Sequence, residues 1–234
     1  MNHPGHDAQV VFSGGEPGGL LTIAKDHVLR RLVAAPWNAV RPLLESSPVA
    51  GDFADLVPWR EIEADADWVV LRHPRVPVIS YPHEWCGEML QEAALLHCRL
   101  LSAVGVRGFA LKDAHPWNVL FDGARGIFID IGSIVPLATL AGLDYLHRPR
   151  CRSGAALEGE VFRLMFLPYF LLPLAFHQVG LGQIARGMLW RFPLNGASRY
   201  PRVTDYLRAA EPRQWLRALR GLRRARRAAG SSMH

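Results

Sequence analysis

Lysine is almost absent from this chain: of 27 basic residues only Lys25 and Lys112 are lysines. Any chemistry that demands an ammonium group rests on one of those two. Cysteine is equally sparse. Cys86, Cys98 and Cys151 show no C-x-x-C or other ligand spacing, which argues against a cysteine metal centre or a disulfide framework. An odd, sparse set without a signal peptide fits a reducing cytoplasm, with each cysteine expected as a buried small apolar residue. His3, His6, His27, His73, His83, His97, His147 and His177 show no metal spacing. Long hydrophobic runs are missing too. The longest, Leu164–Phe176, holds thirteen apolar residues broken by Pro168 and Pro173, whereas a bilayer span needs roughly 20. It is expected as a buried core helix. Internal repeats and low-complexity segments are absent.

Charge is scarce and unevenly placed. Half of the residues are hydrophobic and 21% are charged, which argues against disorder. The net charge is +6, yet the stretch from Arg213 to His234 alone holds seven arginines and no acid. The remainder is therefore close to neutral and lacks the basic field of a nucleic-acid-binding domain. In the tail, Trp215, Leu216, Leu219 and Leu222 fall on one helical face with arginines around them, as in a docked terminal helix with a solvated basic end that could also contact an acidic surface.

Against this background one segment carries chemistry. Asp113-Ala-His-Pro-Trp-Asn118 is followed, after a short hairpin, by Asp130-Ile-Gly132. Strands are expected at Val119–Phe121 and Ile127–Ile129 around an Asp122-Gly123 turn, which would bring Asn118 and Asp130 to the same end. An Asp, an Asn five residues on and a second Asp beyond a hairpin are what kinase-type phosphotransfer requires. The first orients the attacking hydroxyl or accepts its proton, and the other two hold Mg²⁺ against the phosphates of ATP. Taken singly, each of these residues would more often be a turn or cap residue.

Asp113, His115, Pro116 and Asn118 resemble the Asp-x-His-Pro-x-Asn loop of aminoglycoside and choline kinases, and Asp130-Ile131-Gly132 resembles the metal-binding Asp-Phe-Gly of the protein-kinase-like superfamily. More narrowly, the stretch from about Pro74 to Ile134 resembles the kinase-like N-terminal region of certain bacterial S-adenosylmethionine-dependent methyltransferases. The resemblance implies an α+β, bilobal kinase-like fold with a reduced β-containing small lobe and a mainly helical large lobe. It implies Asp113 and Asn118 as catalytic residues and Asn118 and Asp130 as metal ligands. His115 would brace the loop. Backbone around Ser80, Tyr81 and His83, at the position of the interlobe hinge, would hold adenine, with Trp85 a further aromatic at that junction.

The small lobe departs from the family pattern. Ser13-Gly-Gly-Glu-Pro-Gly-Gly19 and Leu21-Thr-Ile-Ala-Lys25 look like a glycine loop and a Val-Ala-Ile-Lys strand, yet they stand too close together for two strands to separate them. A flexible leader is the commoner role for such glycines. Lys25 is the phosphate-binding candidate, Arg30 or Arg31 could replace it, and Glu45 is the nearest partner.

The chain is expected to divide into a small lobe over 1–81, a helical lobe over 82–212 and a basic tail over 213–234. Helix-like material covers Val28–Glu45, and strand-like runs cover Trp59–Glu63, Asp67–Arg72 and Val76–Ser80. A long amphipathic helix runs from Cys86 to Val104 and is ended by Gly105 and Gly108. The expected function is ATP- and Mg²⁺-dependent transfer to a hydroxyl of a small molecule. The alternative is an inactive kinase-like module serving a partner, plausibly a separately encoded methyltransferase. No glycine-rich adenosylmethionine loop follows a strand here. The acceptor would be chosen by Leu137–Glu160 and Gly180–Tyr200, where Arg148, Arg150 and Arg152 could grip an anion.

Overall fold

The computed structural model describes residues 9–12, 20–45, 53–142 and 165–190. Within them the architecture is α+β. A five-stranded antiparallel sheet is built from β1 (Gln9–Phe12), β2 (Leu20–Ile23), β3 (His27–Val33), β4 (Arg60–Ala64) and β5 (Trp68–Pro74), in the order β1-β2-β3-β5-β4. Helix α1 (Ala34–Glu45) follows β3 directly. Helix α2 (Gly87–Gly105) then leads to β6 (Phe109–Leu111) and to the hairpin β7 (Val119–Asp122) and β8 (Arg125–Phe128). Strand β9 (Ile134–Pro136) returns to pair with β6, and α3 (Leu172–Gln178) and α4 (Gly182–Trp190) follow.

Val28–Val33, expected as helix, is strand β3. Its apolar spacing suits either period, and pairing on both sides decides the matter: Arg30 stands opposite Leu21 of β2 and Leu71 of β5. The helical reading holds from Ala34 onward, where α1 buries Trp37, Val40 and Leu43 at i, i+3 and i+6. Val76–Ser80 joins no ladder. Pro77 within it has no N–H to give a neighbour, which favours an extended connector over a strand.

Helix α2 forms as its periodicity predicts, burying Leu90, Ala93, Leu96, His97, Leu100 and Val104 along one stripe. Just beyond its end Gly108 takes φ 80°, a conformation that a side chain would strain, and its N–H donates to the Gly105 carbonyl at 3.0 Å. The Arg107 guanidinium caps the Ala103 carbonyl at 2.6 Å. The apolar stretch near residue 170 is helical from Met165 and passes through a π-helical turn, Leu167–Leu171, before α3. Its Tyr169 and Phe170 are buried, and the Phe170 ring lies 4.8 Å from His97. Among the described residues no helix is long and apolar enough to cross a membrane.

The core is continuous from sheet to helices. Leu71, Trp85, Leu90, Phe128 and Phe170 are almost fully buried in one cluster. Removing the Phe128 ring would cost about 3–5 kcal/mol. Cys86 and Cys98, expected inside, are instead exposed free thiols. Cys86 precedes α2 as its N-cap, Cys98 stands beside the buried stripe of the helix, and burial of part of Cys98 raises its pKa. Cys151, the glycine-rich segment 13–19, residues 143–164 with Arg148, Arg150 and Arg152, and the tail 213–234 lie outside the described residues.

Candidate functional site

The loop after β6 is held from both ends. The Lys112 N–H donates to the Ser133 carbonyl at 2.9 Å, which ties the loop to the turn before β9. The Asn118 Nδ2 donates to the Asp113 carbonyl at 2.9 Å and closes the loop on itself. Below, His115 is half-buried with its ring centre 5.8 Å from that of Trp117, and Trp117 meets Tyr169 edge-on at 5.3 Å. Burial pushes the His115 imidazole down to about 4, so it is neutral at pH 7. A neutral ring suits a brace and not a charge carrier.

The hairpin forms where the sequence places it, with Asp122 opposite Arg125 and Gly123 at φ 60° in the turn. At its open end the Ile129 N–H donates to the Asn118 carbonyl at 2.8 Å. Asn118 and Asp130 therefore lie at the same end. Asp130 opens a tight turn in which its carbonyl accepts from the Ser133 N–H (3.0 Å) and hydroxyl (2.9 Å). Gly132 fits there because a Cβ would come within 3.1 Å of Leu32 on β3 and 3.7 Å of the Asp130 carboxylate.

Two carboxylates converge here. Burial, reinforced by the negative charge of Asp130, pushes the Asp113 carboxyl from 3.8 up to about 6, with Lys112 opposing. Asp130 in turn meets Arg30 of β3: Nη1 donates to Oδ1 at 2.7 Å, and Nη2 to the Ile129 carbonyl at 3.4 Å. Arg30 is thus the cation that β3 delivers to the site. Lys25 is not on a strand. It is exposed in the β2–β3 turn, because β2 ends at Ile23. Arg31, on the other face of β3, lies over the Trp68 ring at 4.3 Å. Glu45 is exposed near Arg41 (3.9 Å).

Arg30 also lines a largely apolar cavity of about 220 Å³ between the sheet and the hairpin. Leu21, Ile23 and Val28 form one wall and Trp117, Val119, Leu120 and Ile129 the other, with His73, Val76 and Ile79 to Pro82 along the side. Ser80 and Tyr81 belong to that side, whereas His83 does not line the cavity. Its ring stacks on Tyr81 at 5.8 Å and meets Trp190 at 4.4 Å. The Tyr81 N–H already donates to the Glu84 carboxylate at 2.7 Å, and Pro82 has no N–H. The connector is therefore poorer in donors than its sequence suggests. Trp85 is core: it is buried against Phe121, and its indole N–H donates to Ser80 Oγ at 3.0 Å.

His73 is the cavity residue that the sequence reading left without a role. It is 3% exposed, its Nδ1–H donates to the Pro58 carbonyl at 3.0 Å, and burial holds it down at about 4. A buried polar residue alternating with Val69 and Leu71 on β5 was the available signal. Among the described residues no group of three His, Cys, Asp or Glu could hold a metal alone. A hard cation that completes its shell with substrate oxygens needs fewer protein ligands. The Asp130 carboxylate and the Asn118 side-chain oxygen are the oxygen donors at this end of the hairpin, the Asn118 nitrogen being engaged by the Asp113 carbonyl.

No protein-family model matches the chain. In sequence, 151 residues are 32% identical to the nodulation protein NoeA of Rhizobium meliloti (strain 1021), covering 61% of this chain and 31% of that one. The chain thus spans about a third of that relative's length. Among solved structures, WbdD in co-crystal with a kinase inhibitor aligns over 94% of this chain and 51% of its own, at 17% identity and a TM-score of 0.38.

Proposed function

We propose that the chain is an ATP-dependent phosphotransferase of kinase type, acting on a hydroxyl of a small molecule. The observation that carries this reading is the convergence of Asp113, Asn118, Asp130 and Arg30 beside one apolar cavity. The largely apolar walls of the cavity suit a flat base. Arg30 supplies a guanidinium for phosphate oxygens, whose geometry it matches better than an ammonium does. Asp130 and Asn118 would hold Mg²⁺, which neutralises phosphate charge when bound. Asp113 orients the acceptor hydroxyl and takes its proton as the oxygen bonds to the γ-phosphorus and the bond to the ADP oxygen breaks. With its carboxyl near 6, Asp113 is mostly ionised at pH 7 yet basic enough to accept. Positioning and charge neutralisation supply most of the rate.

A second reading is favoured by the exposed Lys25 and by the engaged Tyr81 N–H. In it the chain is a catalytically inactive kinase-like module that serves a protein partner such as a methyltransferase.

Thermal-shift titration with ATP, ADP and GTP, with and without Mg²⁺, tests the site. At a hundredfold excess over Kd the gain is about 2.7 kcal/mol, a few degrees in melting temperature, and Asp130→Asn should lose its Mg²⁺-dependent part. No shift with any nucleotide in folded protein would sink the phosphotransferase reading and leave the module. Asp113→Ala then separates them. The enzyme reading requires loss of phosphotransfer by about 10²- to 10⁴-fold with nucleotide binding retained. The module reading requires that wild-type protein transfer no phosphate to any acceptor.

A further inference from the structure

Arg30 holds Asp130 in an arrangement with consequences for how the site is loaded. The two side chains are mostly buried, at 14% and 21% exposure, and Nη1 meets Oδ1 at 2.7 Å. The Arg30 Nε–H is also buried and meets no acceptor among the described residues. The same side chain lines the cavity. Asp130 is thus neutralised by a guanidinium that retains a hydrogen-bond donor beside a space of ligand size.

We propose that Arg30 and a divalent cation compete for Asp130, so that the cation is taken up only together with phosphate groups that draw the guanidinium away. This rests on Asp130 being a cation ligand, as in the function proposed above. A dication arriving at a carboxylate already paired at 2.7 Å meets a like charge at close range, in surroundings that screen it weakly. Phosphate oxygens relieve that conflict. They accept from the spare Nε–H and from the released Nη1 through charge-assisted bonds, leaving both Asp130 oxygens to the cation. Metal and phosphate then favour each other's binding, and the coupling is reciprocal. Were Arg30 only a pin between β3 and the turn, its removal would weaken the binding of both.

The test uses Mn²⁺ as the probe, with free Mn²⁺ read by electron paramagnetic resonance, and a non-hydrolysable ATP analogue. Arg30→Met should bind Mn²⁺ alone about tenfold more tightly than wild type and the Mn²⁺-analogue complex about tenfold more weakly. Arg30→Lys should fall between. Unliganded melting temperatures check the fold. If the variants do not fold, the wild-type arginine Nε–H resonance of Arg30 decides the matter: it should shift when Mg²⁺ and analogue are present together, and stay in place with Mg²⁺ alone. Unchanged or weaker Mn²⁺ binding in Arg30→Met, or an Nε–H shift with Mg²⁺ alone, would overturn the competition while leaving the nucleotide site standing. If wild-type protein binds neither probe in any combination, the nucleotide reading itself falls, and the competition with it.

Discussion

Asp113 pays for its position. Its carboxyl is raised from 3.8 to about 6 because burial disfavours the charged form and Asp130 repels it. The folded state therefore binds this proton more tightly than the unfolded chain, and stability attributable to Asp113 falls as pH rises through that window. Asp113→Asn should stabilise the free protein by about 1–3 kcal/mol at pH 7 and by almost nothing at pH 4, measured by denaturant unfolding at both values. The same shift sets the sign for activity. Phosphotransfer should drop about tenfold per pH unit below about 6, where the base is protonated, and a flat profile from pH 5 to 8 would remove Asp113 from that role. A residue that lowers stability at the pH where it would work is ordinary for a site and unusual for a turn.

At the scale of elements, what was legible in the sequence was local. The hairpin announced itself through Asp122-Gly123 and its flanking strands, and α2 through its apolar stripe. Both formed within two residues of their expected bounds. What could not be read was what depends on partners far along the chain. Val28–Val33 became a strand because β2 and β5 lie on either side of it. Arg30 meets Asp130 across 100 positions, a pairing that no window of sequence shows, whereas Lys25 drew notice through a string resembling a lysine strand and proved to sit in a turn. The Cys98 thiol was misplaced because a small side chain beside an apolar stripe looks like part of it. The seat between β3 and the Asp130 turn gives an element-scale prediction. With 3.1 Å between an added Cβ and Leu32, Gly132→Ala should cost about 1 kcal/mol and Gly132→Val about 1–3 kcal/mol by overpacking, read as melting temperature. Equal stability for the valine variant would mean that β3 does not close on this turn.

Across the whole molecule, three histidines withdrawn from solvent are expected to set the response to acid. His73, His97 and His115 are each held down at about 4 from 6.5, chiefly by burial. Their unfolded forms take up protons first, so their contribution is full above pH 6.5 and is lost as pH falls toward 4. The loss is on the order of 1–3 kcal/mol for each, and together they outweigh the opposite trend of Asp113. Melting temperature should fall steeply between pH 6.5 and 4. His97→Phe, which keeps a ring between Phe128 and Phe170, should flatten that limb, and an unchanged acid limb would move the cause elsewhere. These histidines lie in the cavity wall, beneath the hairpin and beneath the loop, so acid would undo the site and the core in one event.

The hairpin has a third backbone beside it. Leu56 forms a parallel bridge with Phe128, and the chain exchanges two short bonds there: the Phe128 N–H donates to the Asp55 carbonyl at 2.7 Å and the Val57 N–H to the Phe128 carbonyl at 2.8 Å. Sheet and hairpin are therefore fastened twice, by the connector through Tyr81 and by this clasp. A door hung on one hinge swings freely, but one with a second fastening across its edge must shear. Drawing the sheet away from the hairpin would therefore break these two bonds as well as bend the connector.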